Sequence, residues 1–120
     1  MTMESAIREE LNTFINRTAG QAIAAVVVRR DGLPVAAIAP GIDVKLVSAL
    51  AALSLGSLRR MGEELKMGSS RGVVAYFENR LVVFWPVRDL YVVVLSPAEA
   101  NLGLLMLELE RLAKRLGEIL

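Results

Sequence analysis

The stretch "AAVVVRRDGLPVAAIA", residues 24–39, decides the fold. Two apolar runs flank a charged tip, and Asp31-Gly32 offers the positive backbone angles of a tight hairpin turn. The pattern predicts two antiparallel strands, near Ala22–Arg29 and Leu33–Ala39. The first does not alternate polar with apolar residues, so it needs cover on both faces. Pro34 cannot donate a ladder hydrogen bond, which places the second strand at a sheet edge.

Upstream, Ile7, Leu11, Phe14 and Ile15 share a helical stripe over residues 3–18, and Gly20 marks its stop. Downstream, Pro40-Gly41 breaks the chain and Asp43 caps a second helix that runs to about Leu65. "KMGSSRG" (66–72) is a loop. Three strands follow, "GVVAYFE", "RLVVFWPV" and "LYVVVLS", separated by Glu78-Asn79-Arg80 and Arg88-Asp89. Ser96-Pro97-Ala98-Glu99 reads as a capping box with proline at the first helical position. It predicts a last helix with Leu102, Leu105, Leu109, Leu112 and Leu116 on one face and an end frayed by Gly117.

The expected fold is therefore one α/β domain of the α+β type over residues 1–120, in the order αββαβββα. Five mainly antiparallel strands form the middle of a three-layer sandwich, with helix 2 on one face and helices 1 and 3 on the other. No repeat or linker interrupts it.

Fourteen Lys and Arg against thirteen Asp and Glu leave a net charge of +1, which gives no basic face for nucleic acid. Cysteine and histidine are both absent. That removes thiolate chemistry, the commonest general base and the commonest transition-metal ligand. The opening "MTMESAIREEL" reads as helical rather than signal-like. The longest charge-free stretch, Leu46 to Leu58, is well short of the roughly 20 residues that span a bilayer. A cytoplasmic protein with no membrane insertion is expected. Its hydrophobic content of 54% exceeds the usual share, and self-association is the simplest outlet for it.

Little in the chain suggests catalysis or a cofactor. "KMGSSRG" lacks the lysine of a phosphate-binding loop and leads into a strand, not a helix. Glu9-Glu10 and Glu63-Glu64 are adjacent on helices, so their side chains diverge by about 100° and form no dyad. Glu108 and Glu110 are splayed in the same way, as on a solvated helix face. Trp85 is expected to close a core or an interface rather than line a ligand pocket. Arg29, Arg30 and Arg60 are candidate partner contacts, set against a plainer role in keeping an apolar protein dispersed.

The second helix carries the strongest signal. Leu46, Val47, Leu50, Leu58, Met61 and Leu65 form a broad apolar side expected to lie on the sheet. Lys45, Ala49, Ala52, Gly56, Arg59 and Glu63 follow the alternating spacing of a helix-pair seam. An antiparallel pair about a two-fold axis near Ser54 sets Lys45 against Glu63 and Ala52 against Gly56. Val73, Val74, Ala75, Tyr76 and Phe77 supply a second sticky surface, because nothing in the run blocks edge pairing. These two sets are the candidate homodimer interface.

With these features in place, nearly the whole chain resembles the roadblock family, named for dynein light chains. The resemblance rests on the element order, "AAVVVRRDGLPVAAIA", "VSALAALSLGSLRRMGEEL" and "LYVVVLSPAEANLGLLMLELERL". It implies a homodimer whose middle strands join into a ten-stranded sheet and whose second helices lie side by side. It also implies a non-catalytic regulator or scaffold for a Ras-like small GTPase, without a cofactor or catalytic residues. A small-molecule sensor and a purely structural adaptor are the alternative readings.

Overall fold

The structure, a computed structural model, describes residues 1–120. Its elements are helix α1 (Met3–Arg17), strands β1 (Ala24–Arg29) and β2 (Pro34–Ile38), helix α2 (Val44–Glu64), strands β3 (Val73–Tyr76), β4 (Arg80–Val87) and β5 (Leu90–Pro97), and helix α3 (Leu102–Ile119). The expected order is observed. All four strand pairings are antiparallel, in the sheet order β2-β1-β5-β4-β3.

The central strands explain their unbroken apolar character. Side chains alternate between the two faces of a strand, and both faces of β1 and β5 are covered. Ala25, Val27, Val92 and Val94 join Ile7, Leu11 and Phe14 of α1 and Leu105, Leu109 and Leu112 of α3 in a core of 15 buried residues. On the opposite face, Val26, Val28 and Val93 meet Ala51 of α2 in a core of only 4. Helix 2 thus has one face of the sheet to itself and covers it thinly, packing mainly over β1 and β2.

The hairpin between β1 and β2 forms around a three-residue loop, Arg30-Asp31-Gly32. The Arg29 N–H donates to the Leu33 carbonyl at 2.9 Å, and the Gly32 N–H donates to the Arg29 carbonyl at 3.0 Å. Of the expected pair only Gly32 takes a positive φ, +91°. Asp31 acts through its side chain instead, accepting from the Leu33 N–H at 3.2 Å and from Arg29 at 2.7 Å. Pro34 opens β2 on the sheet edge, as its missing donor requires.

The last helix starts later than the sequence suggests. Ser96 and Pro97 continue β5, paired with Leu81 and Arg80 of β4. Ser96 is fully buried with no partner for its hydroxyl, so it caps nothing. Asn101 is the cap, its Oδ1 accepting from the Leu104 N–H at 3.1 Å. Two further ladder positions outweigh the capping box. Nor does Gly117 fray the end: its carbonyl accepts from Arg88 at 2.7 and 3.2 Å, and α3 runs on to Ile119.

Glu108 departs from the solvated-face reading. It is 5% exposed and receives the Arg17 guanidinium of α1 at 2.8 and 3.2 Å, with Arg111 at 3.7 Å. Arg115 reaches Glu10 at 3.0 Å in the same groove. The Arg17–Glu108 and Arg115–Glu10 pairs fasten α1 to α3.

Candidate functional site

Asp43 starts α2 as expected, its Oδ1 accepting from the Leu46 N–H at 3.1 Å. From there the helix buries Ser48, Ala51, Leu55 and Gly62. Apart from Leu55 these are small, which lets the helix backbone lie close to the valines of β1. The large apolar residues expected on the sheet point elsewhere: Leu46, Leu50, Met61 and Leu65 are each at least half exposed. Leu53, outside that expected set, is more exposed still, at 70%.

The small-residue seam occupies the flank of α2 beside the hairpin. A Cβ on Gly32 would lie 3.5 Å from both the Ala49 Cα and the Ala52 Cβ. Arg59 is held by the Tyr91 hydroxyl, to which it donates at 3.2 Å. A Cβ on Gly56 would meet only the Arg59 guanidinium, at 3.8 Å. Lys45 and Glu63, the ends of the seam, are exposed.

On the other flank lies an apolar groove of about 450 Å³ between α2 and the β3–β4 side of the sheet. Leu50 and Leu58 form one wall; Val73, Ala75, Phe77, Val82 and Phe84 belong to the other. Ser54 is the single lining residue that is not hydrophobic. Strand alternation turns Val74 toward the α1–α3 core. It leaves Tyr76, 72% exposed, on that same face at the sheet's rim.

β3 ends the sheet at this side. The Phe77 N–H points inward to the Arg80 carbonyl at 2.9 Å. By alternation Val74 and Tyr76 turn their backbone N–H and C=O groups outward, ready to pair with another strand. The groove runs from Leu50 and Leu58 of α2 to Val73, Ala75 and Phe77 of this edge. The apolar stripe was visible in the sequence, but its orientation followed from the small residues packed beneath it.

The candidate arginines separate. Arg29 is paired with Asp31 at 2.7 Å and Arg60 with Glu64 at 3.8 Å, whereas Arg30 makes no ion pair. Trp85 packs against the main core. Its ring lies so near Gly72 that a Cβ there would be 2.8 Å away, so the indole closes a surface and opens no pocket. No three Asp or Glu side chains gather in a metal-binding cluster, and no helix is long and apolar enough to cross a membrane.

A family model described as "Mitogen-activated protein kinase kinase 1 interacting" matches residues 5–120. The chain belongs to that family. Among related sequences, protein MJ1340 of Methanocaldococcus jannaschii is 31% identical over 103 residues, 85% of this chain and 90% of that protein. Among solved structures, MglB of Myxococcus xanthus superposes with a TM-score of 0.89 at 14% identity, covering 96% of this chain and 87% of that one. A Roadblock/LC7 domain from Streptomyces avermitilis gives a TM-score of 0.82 at 23% identity, over 89% of this chain and 91% of that one. The fold of this family member is the roadblock fold.

Proposed function

We propose that the chain is a non-catalytic homodimer that regulates or scaffolds a Ras-like small GTPase. The observation that carries the reading is the apolar groove lying beside an unblocked strand edge. A second copy pairing antiparallel along β3 extends the sheet and brings its own α2 alongside the first. That arrangement buries Leu50, Leu53 and Phe77, which otherwise stand in water. The helix contribution to the interface comes from the leucine flank, since the seam residues Ala49 and Ala52 already border the hairpin.

The roadblock fold supports the GTPase reading through the family's association with such switches, and the family description itself names an interaction with another protein. The groove supports a protein partner over a small ligand, because one serine among its lining residues gives little to orient a small molecule. A partner shifts a two-state switch only through different affinities for its two states. Titrating a small GTPase from the same cell, loaded with GDP or with a slowly hydrolysed GTP analogue, tests this. The GTP-loaded form should bind more tightly. Equal affinity reduces the role to scaffolding, and no binding to either form rejects the GTPase reading.

A further inference from the structure

The fold splits two adjacent arginine pairs. Arg29 and Arg60 are ion-paired with neighbouring carboxylates, but Arg30 and Arg59 have no carboxylate within 4.0 Å, and they meet in one cleft. Lys66, also without an ion pair, joins them. The cleft measures about 600 Å³, and none of its lining residues is hydrophobic. Glu63 is its one anion, so three cations face one carboxylate.

One of the three donors is held in place. Arg59 is half-buried and anchored through Nη1 on the buried Tyr91 hydroxyl, which leaves Nε and Nη2 without an acceptor in the protein. The Gly68 and Ser69 amides, at the cleft wall, also donate to no protein group. Three of the last carbonyls of α2 are already satisfied within the chain. The carbonyls of Met61, Gly62 and Glu63 accept from the Leu65, Met67 and Lys66 N–H groups at 2.9, 2.8 and 3.2 Å.

Three cations gathered without counter-charges repel one another, and a multiply charged anion turns that repulsion into attraction. A peptide interface would need an aromatic or aliphatic anchor, and this cleft has none. We propose that it binds a phosphate-class polyanion, with Arg30, Arg59 and Lys66 as the charged donors. The cleft lies on the hairpin flank of α2 and shares no lining residue with the apolar groove. The proposal therefore holds independently of the pairing and of the GTPase reading.

Inorganic pyrophosphate, titrated calorimetrically into the full chain at low ionic strength, is the probe. It should bind once per chain. Arg59→Gln and Lys66→Gln should each weaken binding roughly tenfold. Arg29→Gln and Arg60→Gln remove the same charge from paired neighbours and should change it less than about threefold. Arg30→Gln, at an exposed turn tip, gives the same reading should Arg59→Gln fail to fold. Absence of binding, or equal weakening by paired and unpaired arginines, overturns the site. Vesicles with and without a phosphoinositide bisphosphate separate the sources. Vesicle binding displaced by pyrophosphate assigns a lipid headgroup, and pyrophosphate binding without vesicle binding assigns a soluble anion.

Discussion

Gly62 and Gly68 approach so closely that a Cβ on Gly62 would stand 2.5 Å from the Gly68 carbonyl oxygen. The Gly62 carbonyl also accepts from the Met67 N–H at 2.8 Å. The last turn of α2 and the following loop are thus joined through backbone contact that only glycine permits. Gly62→Ala must push the loop away and should cost about 1–3 kcal/mol in urea unfolding. Gly117→Ala, with nothing within 4 Å and inside a helix, should instead gain roughly 0.5–1 kcal/mol. Opposite signs are the expected result, and equal losses would show that the close approach is not what shapes the loop.

The α1–α3 ion pair predicts an asymmetry. Arg17→Gln strands the Glu108 carboxylate, 5% exposed, with Arg111 3.7 Å away as its remaining cation. Glu108→Gln keeps an acceptor for the half-exposed Arg17. The first should cost about 2 kcal/mol and the second about 1 kcal/mol, less than a fully buried pair because one partner regains water. Thermal unfolding of both variants measures the order, and the reverse order would contradict the burial argument.

The sheet was legible in the sequence for a physical reason: β1, β4 and β5 are apolar on both sides, and such strands need two covering layers. Asp31-Gly32 located the hairpin even though only Gly32 needed a left-handed backbone. Local signals misled where long-range pairing outbid them. Ser96 looks like a helix cap, but pairing with Leu81 keeps it in β5. The orientation of α2 was hidden because it depends on how closely Ser48 and Ala51 approach the valines of β1, and hydrophobic periodicity cannot report that distance. Nor could the sequence bring Arg30 and Arg59 together, since the cleft they share exists only after the hairpin folds over the helix flank.

The basic cleft has no hydrophobic lining residue, and the pocket that adjoins it through Gly62, Gly68 and Ser69 adds Leu58, Met61, Met67 and Val73 but no aromatic ring, so a guanine base has no aromatic face to stack on. GTP should bind the isolated chain no more tightly than inorganic triphosphate, as competition calorimetry would measure. A preference for GTP above about tenfold would point to a nucleoside pocket and against a partner-only role.

Substitutions on the two flanks of α2 should behave differently. Leu50→Arg places a charge on the groove wall of α2 and should weaken self-association, whereas Gly56→Arg, on the hairpin side, should leave it nearly intact. The result discriminates between the leucine flank and the small-residue seam as the helix contact. Sedimentation velocity of the two variants at equal concentration gives the answer.

Tyr76→Pro isolates the strand edge. Its N–H faces away from β4, so proline there keeps the β3–β4 ladder while removing a donor that a second β3 would use. Folding should be preserved and pairing lost. If Tyr76→Pro pairs as tightly as the parent chain, β3 is not the joining strand.

Light scattering coupled to size exclusion, run on the unmodified chain at micromolar concentration, tests the central claim most directly. If the apolar groove and the β3 edge are closed by a second copy, the mass will be twice 13.0 kDa and will hold through modest dilution. A mass of 13.0 kDa at that concentration would contradict the account, leaving Leu53 and Phe77 exposed with no second copy to cover them.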